Sequence, residues 1–245
     1  KKIGLSVTLL ELAPRLLERV AAPELSDFFA RIHKEEGINI HCGKTVCSFE
    51  YAEDRMIKAT CLDGSVYAAD LVVVGVGILP NIELAEEAGL QIQNGIVVDQ
   101  YARTSDQDIV AAGDCTNHPN DLLDCSLRLE SVPNAVEQAK SAAAATCGKD
   151  KVYSSVPWFW SDQYDLKLQI VGINTDYDEV ILRGNYTSNR SFVLFYLRQG
   201  QLIGADCVNR PKEFMAVKQL FSKRLEIDVS RLSDESTLPK DFLTK

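Results

Sequence analysis

Residues 7–40, VTLLELAPRLLERVAAPELSDFFARIHKEEGINI, carry the pattern that decides the fold. Residues 7–10 are a short apolar run, typical of a buried parallel strand, and the run ends at Glu11. Pro23 suits the first turn of a helix and Gly37 suits its end. Between them, four apolar residues at helical spacing predict one buried face: Leu25, Phe28, Phe29 and Ile32. A second strand follows, so the order of strand, helix and strand predicts an α/β fold.

Residues 45–82 extend this pattern by a strand meander and one more buried strand. The stretch from 45 to 67 predicts antiparallel strands, with Asp63-Gly64 as a hairpin turn. Residues 71–74 are continuously apolar and predict a buried strand that leads directly into Gly75-Val76-Gly77. This succession is typical of the rear part of a nucleotide-binding α/β domain.

The middle of the chain predicts a further α/β segment. We expect a short helix that ends near Gly89, followed by strands at residues 95–98 and 108–112. A long helix is expected from Val132, with Ser131 as its N-cap. These elements lie between domain boundaries that we expect near residues 78 and 151.

Beyond residue 151 the pattern changes to antiparallel strands, which predicts a separate α+β domain. We expect strands at residues 167–173, 179–183, 192–197 and 202–208, followed by a helix at 211–224. The predicted domains are therefore 1–78, 79–150 and 151–245.

Composition and charge exclude several classes of function. The chain is 46% hydrophobic and 25% charged, as expected for a globular protein, and its net charge of −9 argues against general nucleic-acid binding. The longest uncharged apolar stretch, residues 71–82, is too short to cross a membrane and is broken by two glycines and a proline. No signal peptide is recognisable, which favours a cytoplasmic location.

The seven cysteines form no C-x-x-C motif, and the three histidines lack ligand spacing, so no metal site is predicted. Free thiols in a reducing cytosol explain the cysteines, although Cys42 and Cys47 could also form a redox couple.

The charge is unevenly distributed along the chain. Residues 181–245 hold 11 basic and 7 acidic residues, a net charge of +4, so residues 1–180 carry −13. A basic C-terminal third could dock an acidic partner, or it could simply be a solvated surface.

Two positions in the first predicted domain could bind a nucleotide. A carboxylate at the end of a buried strand, such as Glu11, can accept hydrogen bonds from a ribose diol, which favours NAD over NADP. An ordinary acid at a strand end explains Glu11 as well. Gly77, with Gly75, allows the backbone to approach a flat ligand closely, and a tight turn is the alternative.

The second predicted domain offers two more candidates. The motif TSDQDIVAAGDC, residues 104–115, predicts a strand ending at Gly113-Asp114, where the carboxylate of Asp114 could bind a polyol hydroxyl. A turn aspartate is the alternative. The N-terminal end of the helix from Val132 has free N–H groups that would stabilise negative charge on a ligand.

Both tryptophans lie in Trp158-Phe159-Trp160, with Tyr153 and Tyr164 nearby in the sequence. Such rings could pack against a planar cofactor or an electron-transfer partner. A packed core between domains is the alternative.

Taken together, these motifs resemble the FAD-dependent ferredoxin reductase group of the pyridine nucleotide–disulfide oxidoreductase family. The matching stretches cover almost the whole chain in the family's order: VTLLELAPRLLERVAAPELSDFF, LVVVGVGILPN, TSDQDIVAAGDC, ESVPNAVEQA, PWFWSDQYDLKLQIVG and VNRPKEFMAVKQL. The resemblance implies partial NAD-binding (1–78) and FAD-binding (79–150) Rossmann-like domains, followed by a C-terminal α+β interface domain (151–245).

The resemblance also implies roles for individual residues on the NAD side. Glu11 and Arg19 would line the adenosine part of NAD, and Gly77 would lie near the nicotinamide. 

On the flavin side, Asp114 would bind the ribityl chain of FAD and Val132 would face the pyrimidine edge of the flavin. Trp160 would lie between the flavin and a ferredoxin, and Lys140 would lie on the docking side.

The implied activity is electron transfer from NADH through FAD to a [2Fe-2S] ferredoxin of a P450 or oxygenase system. The flavin carries the redox chemistry, so no side chain is expected to act as a catalytic acid or base. The alternatives are another acceptor, such as rubredoxin or the ascorbate radical, and a non-catalytic interaction fragment.

Members of the family carry two glycine-rich loops in an N-terminal half, and residues 1–245 contain no G-x-G-x-x-G motif. We therefore expect the sequence to correspond to the C-terminal three-fifths of such an enzyme. That N-terminal half would be a partner of this chain, and residues 1–245 alone are expected not to hold FAD tightly.

Overall fold

The computed structural model describes residues 1–51 and 56–243, which form two units, Lys1–Gly77 and Ile78–Lys245. The first unit begins with strand β1 (Thr8–Glu11), helix α1 (Pro23–Glu35) and strand β2 (Asn39–Cys42). β1 and β2 pair in parallel, as the sequence predicts. The predicted apolar face of α1 is completely buried: Leu25, Phe28, Phe29 and Ile32.

The meander of the first unit is a three-stranded antiparallel sheet of β3 (Val46–Tyr51), β4 (Ile57–Cys61) and β5 (Val66–Ala69). The predicted hairpin turn at Asp63-Gly64 is confirmed between β4 and β5. Gly64 adopts a φ of +83°, which favours glycine, and the carboxylate of Asp63 accepts a hydrogen bond from the backbone N–H of Ser65 at 3.0 Å.

The predicted buried strand at residues 71–74 is wrong. These residues belong to no strand, and the exposed fractions of Leu71 and Val73 are 72% and 85%. A buried parallel strand needs hydrogen-bonded neighbours and a covering layer. No strand among the described residues pairs with this segment, so its apolar composition alone does not bury it.

The second unit begins with α2 (Glu83–Glu87) and a small sheet of β6 (Ile96–Val97), β7 (Thr116–Asn120) and β8 (Cys125–Leu127). The short helix before Gly89 and the strand at residues 95–98 are thus found, the latter over only two residues.

The predicted strand at residues 108–112 is wrong. Only an isolated bridge joins Arg103 to Val110, and the turn between them holds a hydrogen bond from the N–H of Asp108 to the side chain of Asp106 at 2.9 Å. The strand that belongs to this region, β7, follows Gly113-Asp114 instead of preceding it.

The long helix α3 (Val132–Thr146) is confirmed, together with its N-cap. The Ser131 hydroxyl accepts a hydrogen bond from the backbone N–H of Asn134 at 3.3 Å, and Gly148 follows the helix with a φ of +68°.

The C-terminal part of the second unit is built on a five-stranded antiparallel sheet. Its strands lie in the order β11-β12-β13-β10-β9, and their bounds are β9 (Trp158–Gln163), β10 (Leu166–Gly172), β11 (Glu179–Gly184), β12 (Phe192–Arg198) and β13 (Gln201–Val208). The four predicted strands are found, whereas β9 was not predicted as a strand.

Helix α4 (Pro211–Lys223) packs one face on this sheet, and two short 3-10 helices follow it, Val229–Arg231 and Pro239–Asp241. The core between α4 and the sheet includes Phe195, Cys207 and Val217, all completely buried. The α4 prediction is therefore confirmed.

No helix in the described part of the chain combines the length and the apolar character that crossing a membrane requires.

Candidate cofactor-binding site

The second unit contains a cavity of about 540 Å³ at the N-terminal end of α3. Most of the side chains that line it are apolar or aromatic. On one side lie Val132 and Pro133 from α3, and on the other lie Trp158 and Trp160 from β9, with Lys218 from α4. The structure therefore brings together two of the sequence-predicted flavin residues, Val132 and Trp160, at one cavity.

The N-terminal end of α3 is fixed to the turn that holds Gly113. The side-chain carbonyl of Gln138 accepts hydrogen bonds from the N–H of Gly113 at 2.7 Å and from the hydroxyl of Thr116 at 2.8 Å. Gly113 adopts a φ of +91°, which favours glycine, and a Cβ placed there would lie 3.6 Å from the Cβ of Ala135. The two Gln138 hydrogen bonds therefore hold α3 against the Gly-Asp turn.

Asp114 lies outside the set of residues that line this cavity. It occupies the turn before β7, with an exposed side chain, and its backbone carbonyl accepts a hydrogen bond from Arg128 at 3.2 Å. Because the predicted strand before it is absent, the sequence argument that placed its carboxylate at the carboxyl end of a strand is wrong. Its role toward a ribityl chain stays a prediction.

The two tryptophans form a pair in the cavity wall. Their ring centroids lie 5.6 Å apart at an angle of 32°, and Trp158 also contacts the ring of Phe214 at 5.5 Å. Trp160 is 42% exposed, while Trp158 is half-buried. A partly exposed pair of rings beside a cavity can pack against a planar ligand and can also face a partner protein.

Tyr153 lines the same cavity and supports the start of α3. Its hydroxyl donates a hydrogen bond to the side-chain oxygen of Asn134 at 2.7 Å, and burial raises the pKa of Tyr153 to about 12. The buried ring of His118 packs edge-on against Tyr153 at 4.8 Å, and burial lowers the pKa of that histidine. Sequence reasoning missed Asn134 and His118, since only the fold brings them to Tyr153.

The first unit holds the residues predicted to bind NAD. One carboxylate oxygen of Glu11, at the end of β1, accepts a hydrogen bond from the N–H of Ala13 at 2.9 Å. Gly77 adopts a φ of +96°, and a Cβ placed on it would lie 3.8 Å from a guanidinium nitrogen of Arg19. The structure thus brings Arg19 close to Gly77, and it places Glu11 at a strand end as the sequence predicts.

The basic C-terminal third is only partly available to a partner. Arg210 forms ion pairs with Glu213 at 3.3 Å and with Glu235 at 2.6 Å, and Lys218 lies on the Trp158 ring. Lys212 is one of the exposed cations in this region that a partner could still reach. Lys140, on α3, is exposed and pairs with Glu137 at 2.5 Å.

All seven cysteines, which lie in the described part of the chain, are free thiols. Across residues 1–51 and 56–243, no three His, Cys, Asp or Glu side chains are arranged so that they could hold a metal ion.

Comparison with known proteins agrees with this architecture. Residues 1–139 match the family described as pyridine nucleotide-disulphide oxidoreductase, and residues 158–243 match the reductase C-terminal family. The chain therefore belongs to the pyridine nucleotide-disulphide oxidoreductase family. The predicted fold class, α/β with Rossmann-like parts followed by an α+β domain, is confirmed.

Among the similar proteins is putidaredoxin reductase CamA of Pseudomonas putida, which is 44% identical and matches 99% of this chain but 58% of its own length. The 5,5'-dehydrodivanillate O-demethylase ferredoxin reductase subunit of Sphingobium sp. is 41% identical, over 98% of this chain and 59% of its own length. The crystal structure of the covalent putidaredoxin reductase–putidaredoxin complex matches 98% of this chain and 58% of that one, with a TM-score of 0.93. The chain thus spans less than two thirds of these relatives.

Proposed function

We propose that the protein containing this chain is a flavoprotein that passes electrons from NADH through FAD to a [2Fe-2S] ferredoxin of a P450 or oxygenase system. The observation that carries the proposal is the cavity where the start of α3 faces the Trp158–Trp160 pair. Relatives named as ferredoxin reductases support the choice of acceptor. A flavin at this place would supply the redox chemistry, accepting a hydride and releasing electrons singly.

The cavity fits a flat, partly polar ring system. Its aromatic and aliphatic walls suit the ring faces, and the N-terminal end of α3 provides the positive end of a helix dipole. Val132 at this end is 62% exposed, so its backbone is accessible to a ligand edge. We assign Val132 to the pyrimidine edge of the flavin, Trp160 to the side of the ferredoxin, and Asp114 to the ribityl chain.

In the first unit, we propose that Glu11 and Arg19 hold the adenosine part of NAD and that Gly77 lies beside the nicotinamide. A ribose diol could donate hydrogen bonds to the Glu11 carboxylate. The positive φ of Gly77 favours glycine, whose lack of a Cβ leaves room for a flat ring. No side chain in this scheme has to donate or remove a proton. In this proposal, domain 1–78 binds NAD, domain 79–150 binds FAD, and domain 151–245 faces the partner protein.

We propose a cytoplasmic location for this protein. Seven free thiols, three of them exposed, are typical of a reducing compartment.

The test is rapid mixing of the full-length protein with NADH and an acceptor under anaerobic conditions. We expect NADH to bleach the flavin absorbance, and a [2Fe-2S] ferredoxin to restore it with reduction of its own spectrum. If rubredoxin or the ascorbate radical reoxidised the flavin faster than the ferredoxin, that molecule would be the acceptor instead. No flavin absorbance in the full-length protein would favour a non-catalytic interaction module and overturn the proposal.

A further inference from the structure

Lys218 is the only lysine in the wall of the cavity, among the residues that the structure describes, and its side chain is half-buried. Its ammonium nitrogen lies 4.0 Å from the centroid of the Trp158 ring and 5.8 Å from that of Phe214. The distance to Trp158 is well within the range of a cation–π interaction, and tryptophan is the best partner for it.

Burial and a carboxylate in the same cavity wall have opposite effects on the charge of Lys218. Burial lowers the pKa of Lys218, and the negative charge of Glu137 on α3 raises it in part. Glu137 is half-buried and lines the same cavity, and it pairs with Lys140 and also interacts with the charges of Lys151 and Lys218. The two rings that face its ammonium nitrogen, those of Trp158 and Phe214, are uncharged.

The tryptophan pair lies in β9, and Trp158 packs against the core of the sheet while Trp160 faces outward. Trp158 stacks at a tilt on Trp160 and contacts Phe214, and Trp160 itself is 42% exposed. An ammonium group on one ring of such a pair favours a single orientation of that ring, because the interaction requires the ring face. The orientation of Trp158 in turn determines the position of Trp160 against it.

We propose that Lys218 is a positioning residue, whose ammonium group fixes the Trp158–Trp160 pair in the cavity wall instead of binding an acidic partner. This inference rests on the proposed function in one respect: the tryptophan pair is taken to lie between the flavin and the ferredoxin. The contact itself belongs to this chain and exists without either of them.

The experiment is ¹⁹F NMR of the full-length protein labelled with 5-fluorotryptophan. Trp158→Phe and Trp160→Phe assign the two resonances. In the parent protein we expect the Trp158 resonance to shift as pH rises from neutral toward the ordinary lysine pKa of about 10.4, because burial lowers the pKa of Lys218 below that value. The Trp160 resonance should follow it, since the rings are in contact.

Three variants test the assignment. Lys218→Met should abolish the pH-dependent shift and displace both resonances at neutral pH. Lys218→Arg should retain the parent resonance of Trp160 at neutral pH but remove the titration, since arginine keeps its proton. Lys223→Met, at the exposed end of the same helix, is the matched control and should behave as the parent.

A Trp158 resonance that does not titrate in the parent, or that still titrates in Lys218→Met, would overturn the inference. Circular dichroism shows whether Lys218→Met is folded. If it is not, Lys218→Arg tests the inference instead, and a Trp158 resonance that still titrates in that variant would overturn it. Because the resonances are recorded without NADH or an acceptor, an intact titration with no ferredoxin reduction would contradict the proposed function alone. A missing titration with normal ferredoxin reduction would contradict only this inference.

Discussion

Two apolar runs of this chain have opposite environments. Residues 71–79, LVVVGVGIL, are largely exposed, with Val73 at 85% and Leu79 at 89%. β12 (Phe192–Arg198), FVLFYLR, is completely buried at its first six positions. Their compositions would make either one a candidate for a buried strand.

The difference lies in what surrounds each run. β12 has β11 and β13 hydrogen-bonded on its two sides, and α4 covers one of its faces. Residues 71–79 have no paired strand among the described residues. An apolar run is therefore a requirement for a buried strand, whereas burial itself depends on neighbours that lie far away in the sequence.

The largest expected effect separates the two runs by their contribution to stability. Phe195→Ala in β12 should lower the free energy of unfolding by about 3–5 kcal/mol, because it leaves a cavity between α4 and the sheet. Val73→Ala should change it by less than about 0.5 kcal/mol, as expected for an exposed side chain. Urea unfolding followed by circular dichroism measures both, and equal costs would show that residues 71–79 are as well packed as β12.

A buried carboxyl group in the same sheet should make stability depend on pH. Asp206 of β13 is completely buried, Tyr196 donates a hydrogen bond to one of its oxygens at 2.5 Å, and burial raises its pKa to about 7. The folded state then retains a proton that the unfolded chain releases near pH 4. Stability should fall by roughly 4 kcal/mol as pH rises from about 4 to 7, at about 1.4 kcal/mol per unit.

Asp206→Asn tests this dependence, because asparagine can still accept the Tyr196 hydrogen bond but does not titrate. Unfolding curves at pH 4, 5, 6 and 7 should show a smaller loss of stability with rising pH in the variant than in the parent. The same slope in both proteins would place the responsible group elsewhere.

A smaller effect is expected from the carboxylate at the end of β1. Glu11→Ala should weaken NADH binding by about 1.5–3 kcal/mol for each lost charge-assisted hydrogen bond. Removal of the negative charge should also move the preference toward NADPH. Steady-state kinetics of the full-length protein with both coenzymes measures the change, with the exposed Glu18→Ala as control. Unchanged kinetics would place Glu11 outside the adenosine site.

The smallest effect is expected at the surface, in the rate of docking. Lys140→Glu with Lys212→Glu should slow reduction of an acidic ferredoxin without slowing reduction of a small neutral dye. The parent rate should fall as salt rises above about 0.1 M, where the screening length is roughly 10 Å. Lys2→Glu with Lys58→Glu, at exposed positions of the first unit, controls for the same change in charge. Equal slowing of dye and ferredoxin would mean that the lysines support the flavin site.

The sequence predicts those parts of the structure that depend on local periodicity. The buried face of α1, the N-cap of α3 and the hairpin turn at Asp63-Gly64 each depend on residues within a few positions of one another. The predicted strands at residues 71–74 and 108–112 are wrong because neither segment has a neighbouring strand in a sheet of the described residues. An apolar pattern does not reveal pairing partners.

The candidate site is predictable to a similar degree. Val132 and Trp160 were identified from a helix start and an aromatic cluster, and the fold brings both to one cavity. The contact of Lys218 with Trp158 joins residues sixty positions apart, and no spacing in the sequence indicates it. The excess of basic residues at positions 181–245 indicates only a basic surface.

The central claim, that a flavin lies in the cavity at the start of α3, is tested most directly by filling that cavity. We predict that the full-length Val132→Trp variant is purified without flavin absorbance, because the indole occupies the space between α3 and the tryptophan pair. Val152→Trp, at an exposed position outside the cavity wall, should retain the parent ratio of flavin to protein absorbance. A Val132→Trp protein with the full flavin spectrum of the parent would contradict the account.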